Sequence, residues 1–248
     1  MRFSTFKIPL LLILLLFGSS AQAGTLSVIR SDRWVTVARV FDGDTFTTTS
    51  GERVRLLGIN TPEIAHGQQP AQPMGHEARQ RLNTMIQGQT VRLAFDRDKF
   101  DDYGRTLAQV YLRNGLWVNA DLVQKGFAHV YTFAPNFRWS RELIVAEQHA
   151  RKAGTGIWRT NRFRVLPAEQ AGADQIGQFR VIRGQVSHIE PWGFRLARLR
   201  ITIPVRYRQW FKQPTPVTPE QIVLVRGIIR LSRSGTYDLA LHSPFDME

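Results

Sequence analysis

The stretch from Trp34 to Gly58 constrains the fold more than any other part of the chain. Trp34–Phe41 (WVTVARVF), Asp44–Thr49 (DTFTTT) and Arg53–Gly58 (RVRLLG) are short runs rich in β-branched and aromatic residues. Asp42-Gly43 and Ser50-Gly51 separate them, and such pairs favour the tight turns that join antiparallel strands. The segment therefore reads as a β-meander. His66–Pro73 (HGQQPAQP) follows as a polar loop. The spacing of Ala78, Leu82 and Met85 predicts a helix over His76–Ile86. Val91–Phe95 and Gly104–Leu112 read as further strands, the second ending in a turn at Arg113-Asn114-Gly115. Asn119 is placed to cap a short helix that stops at Gly126, and Phe127–Phe133 is β-like. Ser140–Ala153 reads as a helix with Leu143, Ala146 and Ala150 on one face and Gly154 just past its end.

Composition changes at Pro167–Gly177 (PAEQAGADQIG), which reads as a linker over residues 166–177. Beyond it, Phe179–Ile189, Gly193–Ile203, Gln221–Leu231 and Thr236–Leu241 are expected strands, and the proline-bearing Trp210–Glu220 is a loop. Two units follow: residues 24–165, mixing strands with helices, and residues 178–248, all β.

The first residues are set apart from both. Arg2 and Lys7 precede the apolar run Ile8–Phe17, and small residues follow at Ala21 and Ala23. This three-part pattern is that of a signal peptide over residues 1–23, cleaved after Ala23. The apolar run is shorter than the ~20 residues of an ordinary spanning helix. The expectation is an exported protein, periplasmic or secreted, with no stable membrane insertion after cleavage.

Charge narrows the partner. Lys and Arg total 33 against 20 Asp and Glu, a net +13. Loss of Arg2 and Lys7 with the signal leaves +11, so the excess belongs to the exported chain. Only five of the basic residues are Lys. Arginine forks suit phosphate and carboxylate, which points to a polyanion, nucleic acid first. The chain has no Cys, which excludes disulfides, thiolate metal sites and a thiol nucleophile. His66, His76, His129 and His149 lack metal-site spacing.

Three polar clusters adjoin β segments: Asp42-Gly43-Asp44-Thr45; Arg55 with Asn60-Thr61-Pro62-Glu63; and Asp101-Asp102-Tyr103-Gly104-Arg105. Carboxylates and carbonyls without Cys suit a hard cation. Arginines suit a phosphate whose charge grows in the transition state, and a further carboxylate suits activation of water. Phosphodiester hydrolysis needs this combination. Each cluster alone has a plainer reading, as a hairpin turn, an edge-strand charge or a loop start.

VFDGDTF (40–46), VRLLGINTPE (54–63), DYGRTLAQVYL (102–112), LVQKGFAHVY (122–131) and GIW (156–158) together resemble the staphylococcal nuclease family, in family order over about half the chain. The resemblance implies a mainly β fold: a five-stranded OB-type barrel with about three helices. It implies Ca²⁺-dependent hydrolysis of DNA and RNA that leaves a 3′-phosphate. By matching position, Asp44 would be a Ca²⁺ ligand, Thr61 would offer its backbone carbonyl, and Asp42 would lie just behind them. Asn60 stands where the family usually has a second aspartate, so affinity would fall or another divalent cation be preferred. Glu63 would activate water, and Arg55 and Arg105 would clamp the scissile phosphate. Tyr103 and Tyr131 match tyrosines of the nucleotide pocket, while Phe133 replaces another.

The C-terminal unit resembles the small OB-like domain that trails some exported relatives. Its Arg195, Arg198 and Arg200 form either the charged outer face of a strand or a phosphate-tracking groove, with Trp192, Phe194, Trp210 or Phe211 as aromatic platforms. Besides the nuclease reading, two others fit the charge. One is a nuclease-like barrel that binds nucleic acid without cutting it. The other is an envelope protein that holds anionic lipid or polysaccharide.

Overall fold

The computed structural model describes residues 32–248, so the expected signal segment lies outside the described residues. Its first strands are β1 (Arg33–Val40), β2 (Thr45–Thr48), β3 (Arg53–Leu56) and the short β4 (Ile59–Asn60). Helix α1 (Gly75–Ile86) leads to β5 (Thr90–Ala94) and β6 (Thr106–Tyr111). Then come α2 (Val118–Gln124), β7 (His129–Val130) and α3 (Ser140–Ala153). The order β1-β2-β3-β6-β5 closes into a five-stranded barrel, antiparallel except for the β3–β6 pair. The meander expected from Trp34 to Gly58 is three of its staves.

Alternation along these strands sends Val37, Phe46, Val54, Leu56, Val91, Leu93, Ala108 and Val110 into one buried core. Leu82 and Ile86 of α1, Leu122 of α2 and Leu143 of α3 seal it. The α3 range is that expected from the sequence, and Gly154 ends it in the left-handed region at φ 59°. The role expected of Asn119 is corrected. It lies inside α2, whose first residue follows Trp117, and no side chain caps that helix. Fully buried, Asn119 accepts from Val110 N–H at 2.9 Å and donates to the Leu57 carbonyl at 3.0 Å. Its amide satisfies backbone groups where the barrel meets the loop leading to the site.

The second unit contains β8 (Leu166–Pro167), β9 (Phe179–Glu190), β10 (Gly193–Leu196), β11 (Leu199–Thr202), β12 (Ile222–Leu231) and β13 (Tyr237–Ala240). They form a sheet ordered β10-β11-β13-β12-β9-β8, and a β10–β9 pairing closes a ring of five strands. Gly193–Ile203, expected as one strand, is a hairpin turned at Ala197, whose φ is 48°. No glycine or asparagine marks this turn. Residues 166–177, expected as a linker, are structured. β8 pairs in parallel with β9, and Ala168 and Ala171 are buried in the second core.

The two barrels share an interface. Ala150, Ile157, Trp158 and Phe163 of the first pack with Val181 of the second. Arg226 on β12 and Glu147 on α3 are both 0% exposed and pair at 2.6 Å. Glu248 bonds Arg226 as well, and Arg151 at 2.7 Å. Among the described residues no helix is long and apolar enough to cross a membrane.

Candidate active site

The turn between β1 and β2 carries Asp42 and Asp44. Gly43 between them is required: a Cβ there would come within 2.6 Å of Thr61 Oγ1 and 2.8 Å of the Ala78 Cβ. The turn is thus pressed against the 60–63 loop and α1. Asp44 is buried and its oxygens are well occupied. Oδ2 accepts from Thr61 N–H at 2.8 Å and Thr61 Oγ1 at 3.0 Å; Oδ1 accepts from Thr45 Oγ1 at 3.1 Å. Asp42 Oδ1 accepts from Asp44 N–H at 3.0 Å, as short-range turn chemistry favours.

Arg55 projects from β3, between β2 and β6, and is 9% exposed. Its Nη1 lies 2.6 Å from Asp44 Oδ1, and its Nη2 donates to Asn60 Oδ1 at 2.7 Å. The Nη1 contact is an ion pair without hydrogen-bond alignment, which leaves a buried N–H direction unsatisfied. The Asn60 oxygen, expected to face a cation, here serves Arg55, while its amide nitrogen lies 3.3 Å from the Thr61 carbonyl.

Glu63 stands exposed at the rim. Its backbone N–H and carbonyl meet Gln72, and a Cβ at Gly75 would strike its carbonyl at 2.5 Å. The start of α1 therefore fixes the backbone that carries Glu63. Arg105 precedes β6. Asp101 takes its Nε at 2.7 Å and its N–H at 2.9 Å, leaving both terminal nitrogens of the guanidinium for a ligand. Burial acts to raise the Asp101 carboxyl, but the Arg105 N–H and guanidinium outweigh it and hold the group below its usual range. The sequence places Asp101 in the third polar cluster but assigns it no role; the structure makes it the partner that holds Arg105. Its signal was its place four residues before Arg105.

Asp42, Asp44, Arg55, Asn60, Glu63, Tyr103, Arg105 and Tyr131 all line one cleft of about 420 Å³. Thr61 lies beside it, on Asp44. Tyr103 is 84% exposed at its mouth, with the Arg105 guanidinium 5.5 Å from its ring centroid. Tyr131 meets Phe133 edge-on at 4.5 Å, and Phe133 is 44% exposed. Phe179 of the second barrel touches Tyr131 at 5.5 Å and stacks on buried His129 at 4.0 Å.

Electrostatics separates the carboxylates. Burial and the Asp44 charge push Asp42 up to about 6. Burial and Asp44 also raise Glu63, opposed by Arg55, Arg105 and His66. Among the described residues no three His, Cys, Asp or Glu side chains cluster to hold a metal. The oxygen donors here are Asp44, Asp42, the Asn60 amide and the Thr61 carbonyl. Two carboxylates close enough to raise a pKa, with neutral oxygens beside them, suit a hard cation such as Ca²⁺.

An OB-type barrel that gathers carboxylates and two arginines in one cleft defines a nuclease-type hydrolase. Comparison with known proteins agrees. The model of the staphylococcal nuclease homologue family matches residues 53–160. A thermonuclease of Staphylococcus hyicus is 34% identical over 125 residues, covering 49% of this chain and 73% of that protein. A thermonuclease of Staphylococcus intermedius is 38% identical over 125 residues, covering 49% and 74%. Endonuclease YncB of Bacillus subtilis is 35% identical over 129 residues, covering 50% and 61%. The chain belongs to the staphylococcal nuclease family, and it is a nuclease.

The aromatic residues that one of the two readings of the second barrel offers as platforms divide. Phe194 is buried in its core and presents no stacking face, while Phe211 packs in the same core and borders a second cleft. Arg200 commits its fork to Asp238, with bonds of 3.0 and 2.8 Å. Trp192 and Trp210 are only partly buried.

Proposed function

We propose that the chain is an exported, Ca²⁺-dependent nuclease that hydrolyses phosphodiester bonds of DNA, RNA or both. The observation that carries the reading is the convergence of Arg55, Glu63 and Arg105 on the cleft that holds Asp44. Asp44, the Thr61 carbonyl and the Asn60 amide oxygen would hold the ion, with Asp42 behind them; the bound ion supplies positive charge beside the phosphate. Glu63, at the open rim, accepts a proton from water as it attacks phosphorus. Its environment raises its proton affinity, which suits a general base near neutral pH. Arg55 from β3 and Arg105 from just before β6 approach the phosphate, and donate to its oxygens as negative charge develops. Arg105 serves the departing 5′-oxygen. Asp101 keeps its fork aimed, and Tyr103 and Tyr131 flank the nucleotide. Export rests on the pattern of residues 1–23 and leads to the periplasm or the medium.

The test mixes purified protein with denatured DNA or RNA, with Ca²⁺ or with excess chelator. Cleavage with Ca²⁺ alone is expected. Glu63→Gln and Arg55→Ala should each lower kcat by about 10²–10³-fold. Salt-sensitive binding without cleavage under any divalent ion would establish the non-catalytic reading instead.

A further inference from the structure

A second cleft, of about 800 Å³, lies between α3 of the first barrel and the 210–216 segment of the second. It borders the catalytic cleft across a single ridge. Asp98 and Asn136 line the catalytic side and are joined by two hydrogen bonds of 2.9 Å. Their neighbours face the other way. Phe137 lines the second cleft and meets Trp210 edge-on at 5.6 Å, and the Arg97 guanidinium lies 5.9 Å from the Trp210 centroid. Arg141 and Lys212 stand on opposite walls. Both are exposed and neither makes an ion pair among the described residues. No Asp or Glu lines this cleft among the described residues.

An aromatic floor with unpaired cations on its walls and no carboxylate suits a ligand with flat apolar faces and a repeating negative charge. Single-stranded nucleic acid has that chemistry: bases stack on aromatic rings while basic side chains follow the phosphates. Phe133 on the catalytic side and Phe137 with Trp210 on the other give stacking faces on both flanks of the ridge.

We propose that the cleft between the barrels is an extended subsite for single-stranded nucleic acid, in which Trp210, Arg141 and Lys212 hold nucleotides beyond those at the catalytic cleft. This deepens the nuclease reading and rests on it for the identity of the ligand. The second barrel then works as half of the substrate track.

The experiment compares a dinucleotide with a single-stranded oligonucleotide of about 12 nucleotides, within the ~4–16 that an OB fold covers. Binding is measured in excess chelator, and cleavage separately with Ca²⁺. Arg141→Glu and Lys212→Glu alter exposed residues, and Trp210→Ala removes the ring. Lys152→Glu, on an exposed residue outside the cleft, controls for general charge. Each cleft variant should raise the Kd for the 12-mer on the order of tenfold, with dinucleotide KM and kcat unchanged. Equal weakening by Lys152→Glu, equal loss on both substrates, or no loss on the 12-mer would overturn the proposal. So would binding of phosphatidylglycerol vesicles through these residues in place of the oligonucleotide. If the protein cleaves neither substrate, the nuclease reading falls, while the chelator binding data still decide on the subsite.

Discussion

Arg226→Met tests how the two barrels depend on each other. Among the described residues Arg226 is the largest fully buried side chain, and it donates across the interface to Glu147 Oε2 at 2.6 Å. Glu147 uses its other oxygen to accept from Val130 N–H at 2.7 Å, in the strand that pairs with Ile59 and Asn60. Removing the guanidinium strands a carboxylate that is itself 0% exposed. Breaking one side of such a buried pair costs about 3–5 kcal/mol. Arg151 Nε stands 3.8 Å from the same oxygen and offsets part of that, so about 3 kcal/mol is expected. For a chain of this size the loss corresponds to a Tm lowered by roughly 6–12 °C. Urea unfolding followed by circular dichroism and tryptophan fluorescence measures it. The double variant Arg226→Met with Glu147→Gln removes the stranded charge and keeps an acceptor for Val130. It should recover about 2 kcal/mol relative to the single variant, the typical cost of leaving a buried charge unpaired. A single variant within about 0.5 kcal/mol of the native protein, or a double variant no better than the single, would refute the reasoning.

Other outcomes follow from the site. Asn60→Asp adds a charged oxygen to the donor set and should tighten Ca²⁺ binding on the order of tenfold by titration calorimetry. Asp101→Ala frees the Arg105 guanidinium to rotate; kcat/KM should fall about tenfold or more, and unchanged kinetics would mean that Arg105 needs no such partner. His129 is fully buried, and burial brings its pKa down to about 3. Because the folded value is depressed below the ordinary 6.5, its neutral form contributes stability above that value that is lost as pH falls from about 6.5 toward 3. His129→Phe should flatten this slope in denaturation midpoints measured across that range, and an unaltered slope would assign the dependence to other groups.

Much of this architecture could be read from local sequence. The Asp42-Gly43-Asp44 turn, the strand carrying Arg55 and the amphipathic α3 are each fixed by residues a few positions apart, so their patterns survive in one dimension. The failures share a cause. Asn119 has the chemistry of a cap and stands two residues past the cap position; only tertiary burial reveals that it serves Val110 and Leu57. Ala197 turns a hairpin without glycine or asparagine, because flanking strand pairs impose the conformation. Arg226 and Glu147 lie 79 residues apart, and no periodicity links them. Phe194 is one of four aromatic residues that could serve as platforms in one of two readings, and packing puts it inside. The four residues most central to the proposed chemistry were legible because three short motifs carry them; that Arg55 would rest on both Asp44 and Asn60 was not.

The junction between the barrels has a consequence for how the molecule moves. Val165 packs against the shared interface cluster, and the next two residues already pair with Ile182 and Arg183 of β9. Arg162 donates to the Phe179 carbonyl at 2.9 Å, and Arg180 reaches back to that of Asn161 at 3.2 Å. The chain has no free hinge at the crossing, and the crossing is stitched from both sides. The barrels should therefore tumble as one particle. Amide ¹⁵N relaxation would return a single rotational correlation time for both, and residual dipolar couplings from either would fit one common alignment tensor.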